Sequence, residues 1–258
     1  MQLKIFEYGS TDKPSLVFLH GASVSSWMWQ RQLHVLAKHY HCVAIDLPGS
    51  GESCLVPWHS MAATAENVAD TIRARCSQSQ AHVVGFSMGA YIGLHLLKSR
   101  PEVLQSLMLS GVTTRPFPRP WITRVMLAIV SQTLRWDWVI RWQSNAMNLP
   151  AEFNEHYHKD MKRMSPSMLR RVFDEVLGYE LPRGLKGKER GLLALAGDRE
   201  QPMIRDGLAD IAERTKGTCA VIENAGHTWI VDQPDLFNEI VSKWVEERAL
   251  PSHMICLN

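Results

Sequence analysis

Ser87 stands in GFSMG, Gly85 to Gly89, where a run that reads as a buried strand gives way to apolar residues at helical spacing. A serine hydroxyl is a weak nucleophile until a base takes its proton, and that base needs a third group to orient it. Candidates for both follow in the chain. His227 lies in NAGHTW, just past the last strand-like run, and the DREQP segment after LLALAG offers Asp198 and Glu200. Serine, acid, histidine is one of the chain orders in which such triads occur. His156 and His158 are only two residues apart, so on a helix they point to different sides. A serine that merely caps a helix would read the same way at position 87. The neighbouring glycines favour a sharper geometry, because a tight strand-to-helix turn leaves no room for Cβ atoms on either side of it. Such a turn raises the hydroxyl above the carboxyl end of a sheet, beside a helix N-terminus that attracts developing negative charge.

The elements that must hold these residues alternate along the chain. SLVFLH (15–20), HCVAID (41–46), AHVVGF (81–86), SLMLSG (106–111), LLALAG (192–197) and TCAVIE (218–223) are short, apolar runs rich in aliphatic residues. Continuous hydrophobicity of this kind suits strands covered on both faces. Helical patterns lie between most of them, at Trp27 to Lys38, Ala62 to Ser77, Met88 to Ser99, Ile204 to Lys216 and Pro234 to Arg248. The N-terminal MQLKIFEYGS alternates like a further strand. Strand and helix in alternation predict an α/β fold with a mostly parallel sheet flanked by helices. The alternation stops between Thr113 and Lys186, a stretch with four tryptophans and no convincing strand. It predicts an all-helical insertion over 113–186, bounded by RPFPRP and LPRGLKGK, between core segments 1–112 and 187–258.

Composition narrows the function classes. The 258 residues are 45% hydrophobic and 21% charged, with a formal net charge of +2. That balance gives no field strong enough to call for nucleic acid. No run of eighteen uncharged apolar residues predicts a membrane span, and the N-terminus lacks the apolar stretch of a signal peptide. The five cysteines have neither CxxC nor metal-ligand spacing. A reducing cytoplasm is the expected compartment, with no cofactor and no metal. The glycines of DLPGSG serve backbone shape, since no phosphate-binding motif accompanies them.

LHGAS (19–23), DLPGSGES (46–53), GFSMG (85–89), AGDREQP (196–202) and NAGHTWIVDQPDLF (224–237), in this order and spacing, resemble the α/β-hydrolase superfamily of the lid-bearing serine esterase type. The resemblance covers the chain outside the insertion. It implies the α/β-hydrolase fold, with Ser87 as nucleophile and His227 as base. In that family the acid is usually the third residue after the strand-ending glycine, which here is Glu200 where aspartate is commoner. Asp198 then becomes a loop residue. The resemblance also implies an oxyanion hole from the backbone N–H groups of Ala22 and Met88, with His20 holding the loop. The insertion corresponds to the family's helical cap, and Trp121, with Met203 and Trp229 from the core, is expected to line an apolar pocket. A small to medium apolar carboxylic ester is the implied substrate, cleaved through an acyl-enzyme. Carbon–carbon hydrolysis, lyase or perhydrolase chemistry, and slow-turnover ligand reception, use the same triad. The WITRVMLAIV segment could alternatively form an exposed apolar face.

Overall fold

The computed structural model describes residues 2–147, 149–185, 190–252, 254 and 256–257. Eight strands form one sheet: β1 (Ile5–Tyr8), β2 (Ser15–Leu19), β3 (His41–Ile45), β4 (Ala81–Phe86), β5 (Leu104–Ser110), β6 (Leu192–Gly197), β7 (Thr218–Ile222) and β8 (Cys256–Leu257). Their order is β1-β3-β2-β4-β5-β6-β7-β8. The six central strands are parallel, while β1 on β3 and β8 on β7 are antiparallel. All six strand runs read from the sequence are present, with ends shifted by at most two residues. β8 was not anticipated, because a two-residue strand carries no periodicity to read.

Side chains alternate across the sheet and divide the core in two. Val17, Leu19, Val43 and Ile45 face α2 (Met61–Arg75), α3 (Met88–Ser99) and α8 (Pro202–Thr215). Leu16, Phe18, Cys42 and Ala44 face α1 (Gln30–Leu36) and α9 (Pro234–Glu247). Burial on both faces explains why β2, β3, β4 and β6 read as unbroken apolar runs: every residue in them is buried. Capping supports the helices locally. Ser60 Oγ accepts the Ala63 N–H at 3.0 Å at the start of α2, and Arg73 and Arg75 lie in its last turn, where the helix dipole favours cations. The helix expected over Trp27 to Lys38 is split instead. Ser26–Trp29 is a tighter 3-10 turn, because Asp46 Oδ1 holds the Ser26 N–H at 2.8 Å and fixes the chain before α1 begins.

Among the described residues, 113–185 contain helices and turns and no strand: α4 (Pro120–Val130), α5 (Asp137–Ala146), α6 (Asn154–Arg163) and α7 (Pro166–Leu177). The expected boundary at 186/187 lies outside the described residues. The insertion has a small core of its own, including Leu134, Ile140, Tyr157, Met161 and Leu169. Carboxylates fasten it to the sheet domain. Glu175 on α7 accepts the Trp58 indole N–H at 2.7 Å and the Met61 N–H at 2.8 Å. No helix is long and apolar enough to cross a membrane among the described residues.

Candidate active site

Ser87 follows the last residue of β4 and precedes the first of α3, with φ 50° and ψ −114°. A non-glycine residue in such a region carries on the order of 1–3 kcal/mol of strain, which the surrounding packing must hold. The two glycines make that packing feasible. A Cβ on Gly85 would sit 2.5 Å from Gly89 O, and one on Gly89 would sit 2.1 Å from Leu19 O. Ser87 occupies the N-cap position of α3, yet its side chain makes no capping hydrogen bond. Its hydroxyl therefore does no structural work for the helix. The fold instead uses the Ser87 backbone: its N–H bonds Ser110 O at 2.8 Å and its carbonyl accepts the Ala90 N–H at 2.8 Å.

The two candidate acids lie in the loop after β6 and make different contacts. Glu200 Oε1 lies 2.5 Å from His227 Nδ1, and Glu200 Oε2 accepts the Gly197 N–H at 2.9 Å. The Glu200 side chain is fully buried, whereas that of His227 is 43% exposed. Asp198 faces elsewhere. Its two oxygens take the Asn224 N–H at 3.0 Å and the Ala225 N–H at 2.9 Å, and those amides hold its carboxyl below the usual aspartate range. Asp198 thus ties the acid loop to the histidine loop, and Glu200 touches the histidine itself. The His227 ring packs against Phe86, the neighbour of Ser87, with centroids 4.9 Å apart. No hydrogen bond reaches Ser87 Oγ among the described residues, a looseness common in unliganded sites that tighten around substrate.

Two further groups complete the rim. A Cβ on Gly21 would lie 3.5 Å from Ser87 Cβ, so the 20–23 loop runs directly beside the serine. Ala22 is half-buried in that loop, and Met88 opens α3, where its N–H has no carbonyl within the helix to bond. His20 is fully buried; its Nε2 accepts the Leu47 N–H at 2.9 Å and its Nδ1 bonds Gly21 O at 2.7 Å. Burial pushes its pKa down, in keeping with a neutral ring that holds the loop.

The expected pocket residues part company. Trp229 is fully buried in the second core, with its indole N–H on Ser110 Oγ at 2.8 Å. Its place beneath the rim makes it a packing residue and not the pocket wall expected of it. Trp121 on α4 is 63% exposed, and Met203 is half-buried against the first core. A cleft of about 610 Å³ lies between α1, β1 and α6, and none of Ser87, Glu200, His227, Trp121, Met203 or Trp229 lines it.

Gly111 packs against the candidate acid and histidine, a contact that the motifs did not reveal. At φ 73° it closes β5 against the dyad, and a Cβ there would meet His227 Cε1 at 2.6 Å and Glu200 Oε1 at 3.3 Å. The only signal was a glycine ending the SLMLSG run.

Residues 16–240 match the alpha/beta hydrolase family. The chain is 25% identical to the pimeloyl-acyl-carrier-protein methyl ester esterase of Aeromonas hydrophila over 90% of its own length and 95% of that protein. It is 24% identical to the (E)-2-((N-methylformamido)methylene)succinate hydrolase of Acinetobacter baylyi, covering 93% of each chain. Among solved structures it is similar in fold to MGS-M2, an alpha/beta hydrolase enzyme from a Medee basin deep-sea metagenome library, with a TM-score of 0.80, 14% identity, and 97% and 96% of the two chains covered.

Proposed function

The chain belongs to the alpha/beta hydrolase family, and from that premise we propose that it is a serine hydrolase of carboxylic esters, using Ser87, His227 and Glu200. One observation carries the reading: the buried Glu200 carboxylate holds His227 Nδ1 at 2.5 Å, with the imidazole packed on Phe86, the residue before a serine whose hydroxyl makes no capping bond.

The chemistry follows from that arrangement. Glu200 fixes the tautomer in which Nδ1 carries the proton, leaving Nε2 to accept one from Ser87. As Ser87 Oγ attacks the ester carbonyl, the Ala22 and Met88 N–H groups take the oxyanion, each contact of this kind being worth about 3 kcal/mol of barrier. The imidazolium then gives its proton to the departing alcohol, and an acyl-Ser87 ester remains. Water enters, loses a proton to His227, and releases the acid. The helical insertion serves as a cap over this rim, and its apolar α4, with Met203, favours an apolar acyl group of small to medium size. Cys42, Cys54, Cys76 and Cys219 are free, which suits action in the reducing cytoplasm.

A series of p-nitrophenyl esters of rising acyl length, with Ser87→Ala as control, tests the reading. Multiple turnovers that vanish in Ser87→Ala support it. Turnover that survives the substitution removes Ser87 as nucleophile, and saturable ligand binding without turnover points to a receptor.

A further inference from the structure

The loop that carries Ala22 is anchored from two directions. From the sheet domain, His20 bonds Gly21 O, and Asp46 Oδ1 holds the Ser26 N–H at 2.8 Å. From the insertion, Asp160 on α6 accepts the Trp27 indole N–H at 2.7 Å. Asp160 is only 5% exposed. Burial pushes its carboxyl above the usual range, while the Trp27 hydrogen bond pulls the other way. The Trp27 ring also meets two rings of the insertion. It stacks on His156, with centroids 6.0 Å apart and planes at 21°, and tilts against Phe153 at 5.2 Å. Trp27 is a residue of the sheet domain seated by the cap.

A second latch of the same chemistry sits at the other end of the insertion. There Glu175 takes the Trp58 indole N–H at 2.7 Å and the Met61 N–H at the start of α2. Both latches pair a cap carboxylate with a core indole. They differ in what lies next along the chain. Trp58 leads into α2, whereas Trp27 ends the segment that begins at Gly21 and includes Ala22.

We infer that Asp160 is a positioning residue for the oxyanion loop: through Trp27 it makes the placement of the Ala22 N–H depend on where the cap sits. The inference rests on the esterase reading for its catalytic consequence, and on geometry alone for the coupling. When the cap is seated, the loop is held at Gly21, at Ser26 and at Trp27. When α6 lifts, the last anchor is lost and the donor loosens. Turnover then becomes tied to cap closure, at a distance from the triad. Displacement of a positioned group by about 1 Å can cost on the order of 100-fold in rate, so a partial loosening of one donor should cost about tenfold.

The two latches test each other. Trp27→Phe and Trp58→Phe each remove one indole N–H, and each should lower the melting temperature. Trp27→Phe should lower kcat on a p-nitrophenyl ester by about tenfold with KM close to wild type, and Trp58→Phe should leave kcat unchanged. Asp160→Ala, which removes the acceptor, serves as the second variant if Trp27→Phe folds poorly. The 1H–15N resonance of the Ala22 amide provides a readout that needs no activity. It should move in Trp27→Phe and Asp160→Ala and stay in place in Trp58→Phe. Equal kcat losses at both latches, or an unmoved Ala22 amide in Asp160→Ala, would overturn the inference. A wild-type protein without ester turnover would sink the esterase reading, while the amide shift would still decide the coupling.

Discussion

In the sheet domain, Trp29, Trp58, Trp229 and Trp244 are at most 4% exposed; in the insertion, Trp121, Trp136, Trp138 and Trp142 are at least 53% exposed. The same side chain serves opposite ends in the two regions. Sheet-domain indoles fill the space between strands and helices: Trp29 and Trp229 both pack on Phe237, with centroids 5.7 and 5.6 Å apart. Insertion helices rest on a small core of their own, and their apolar residues exceed what that core can cover. The exposed stripe of α4 at Trp121, Ile122, Val125 and Met126 is the result. The difference teaches that rigidity and chemistry sit in one region and adaptable apolar surface in the other. Substitutions should therefore act through different quantities in each.

The sharpest contrast is expected at the acid loop of the sheet domain. Glu200→Gln removes the charge that holds His227, and kcat should fall by about 10⁴-fold in a steady-state ester assay. Asp198→Asn should leave kcat close to wild type and lower the melting temperature, because its carboxylate holds two amides and not the imidazole. Reversal of these two results would exchange the residues' roles.

Trp229→Ala is the next largest effect. Loss of a fully buried indole bonded to Ser110 should cost about 3–5 kcal/mol in urea unfolding. A cost under about 1 kcal/mol would break the assignment of Trp229 to the core.

Acid sensitivity also belongs to the sheet domain. His82 on β4 is buried, bonded through Nδ1 to Ser106 Oγ at 2.8 Å, and burial lowers its pKa from 6.5 to about 4. Between those values the unfolded chain binds a proton that the folded one refuses, so stability falls as pH drops from 6.5 towards 4. A shift of that size is worth about 3 kcal/mol. His82→Gln should flatten the stability–pH curve over that window, and an unchanged slope would remove His82 as its source.

The smallest effect is expected on the insertion surface. Trp121→Ser and Trp142→Ser should change unfolding free energy by less than about 0.5 kcal/mol. A loss comparable to that of Trp229→Ala would erase the contrast between the two regions.

The sheet was legible because burial on both faces leaves a plain mark: runs such as HCVAI and LLALAG admit few other readings. The elbow was legible because its two glycines answer steric contacts of 2.5 and 2.1 Å. The acid was harder to read. Asp198 and Glu200 lie two residues apart in one loop, and only the backbone turn sends one to the Asn224 and Ala225 amides and the other to His227. In the insertion, composition gave the helices but not their facing. A tryptophan on an amphipathic helix satisfies the same pattern whether it meets a pocket, a core or solvent. Asp160 was illegible for another reason: its partner lies some 130 residues earlier, and no local pattern links NEHYHKD to SVSSW.

The proposed nucleophile, Ser87, admits the most direct measurement. A fluorophosphonate should modify the protein once, on the peptide that contains Ser87, as read by mass spectrometry, and His227→Gln should slow that reaction severely. Labelling at another residue, or no labelling of a folded protein that still cleaves esters, would contradict the account.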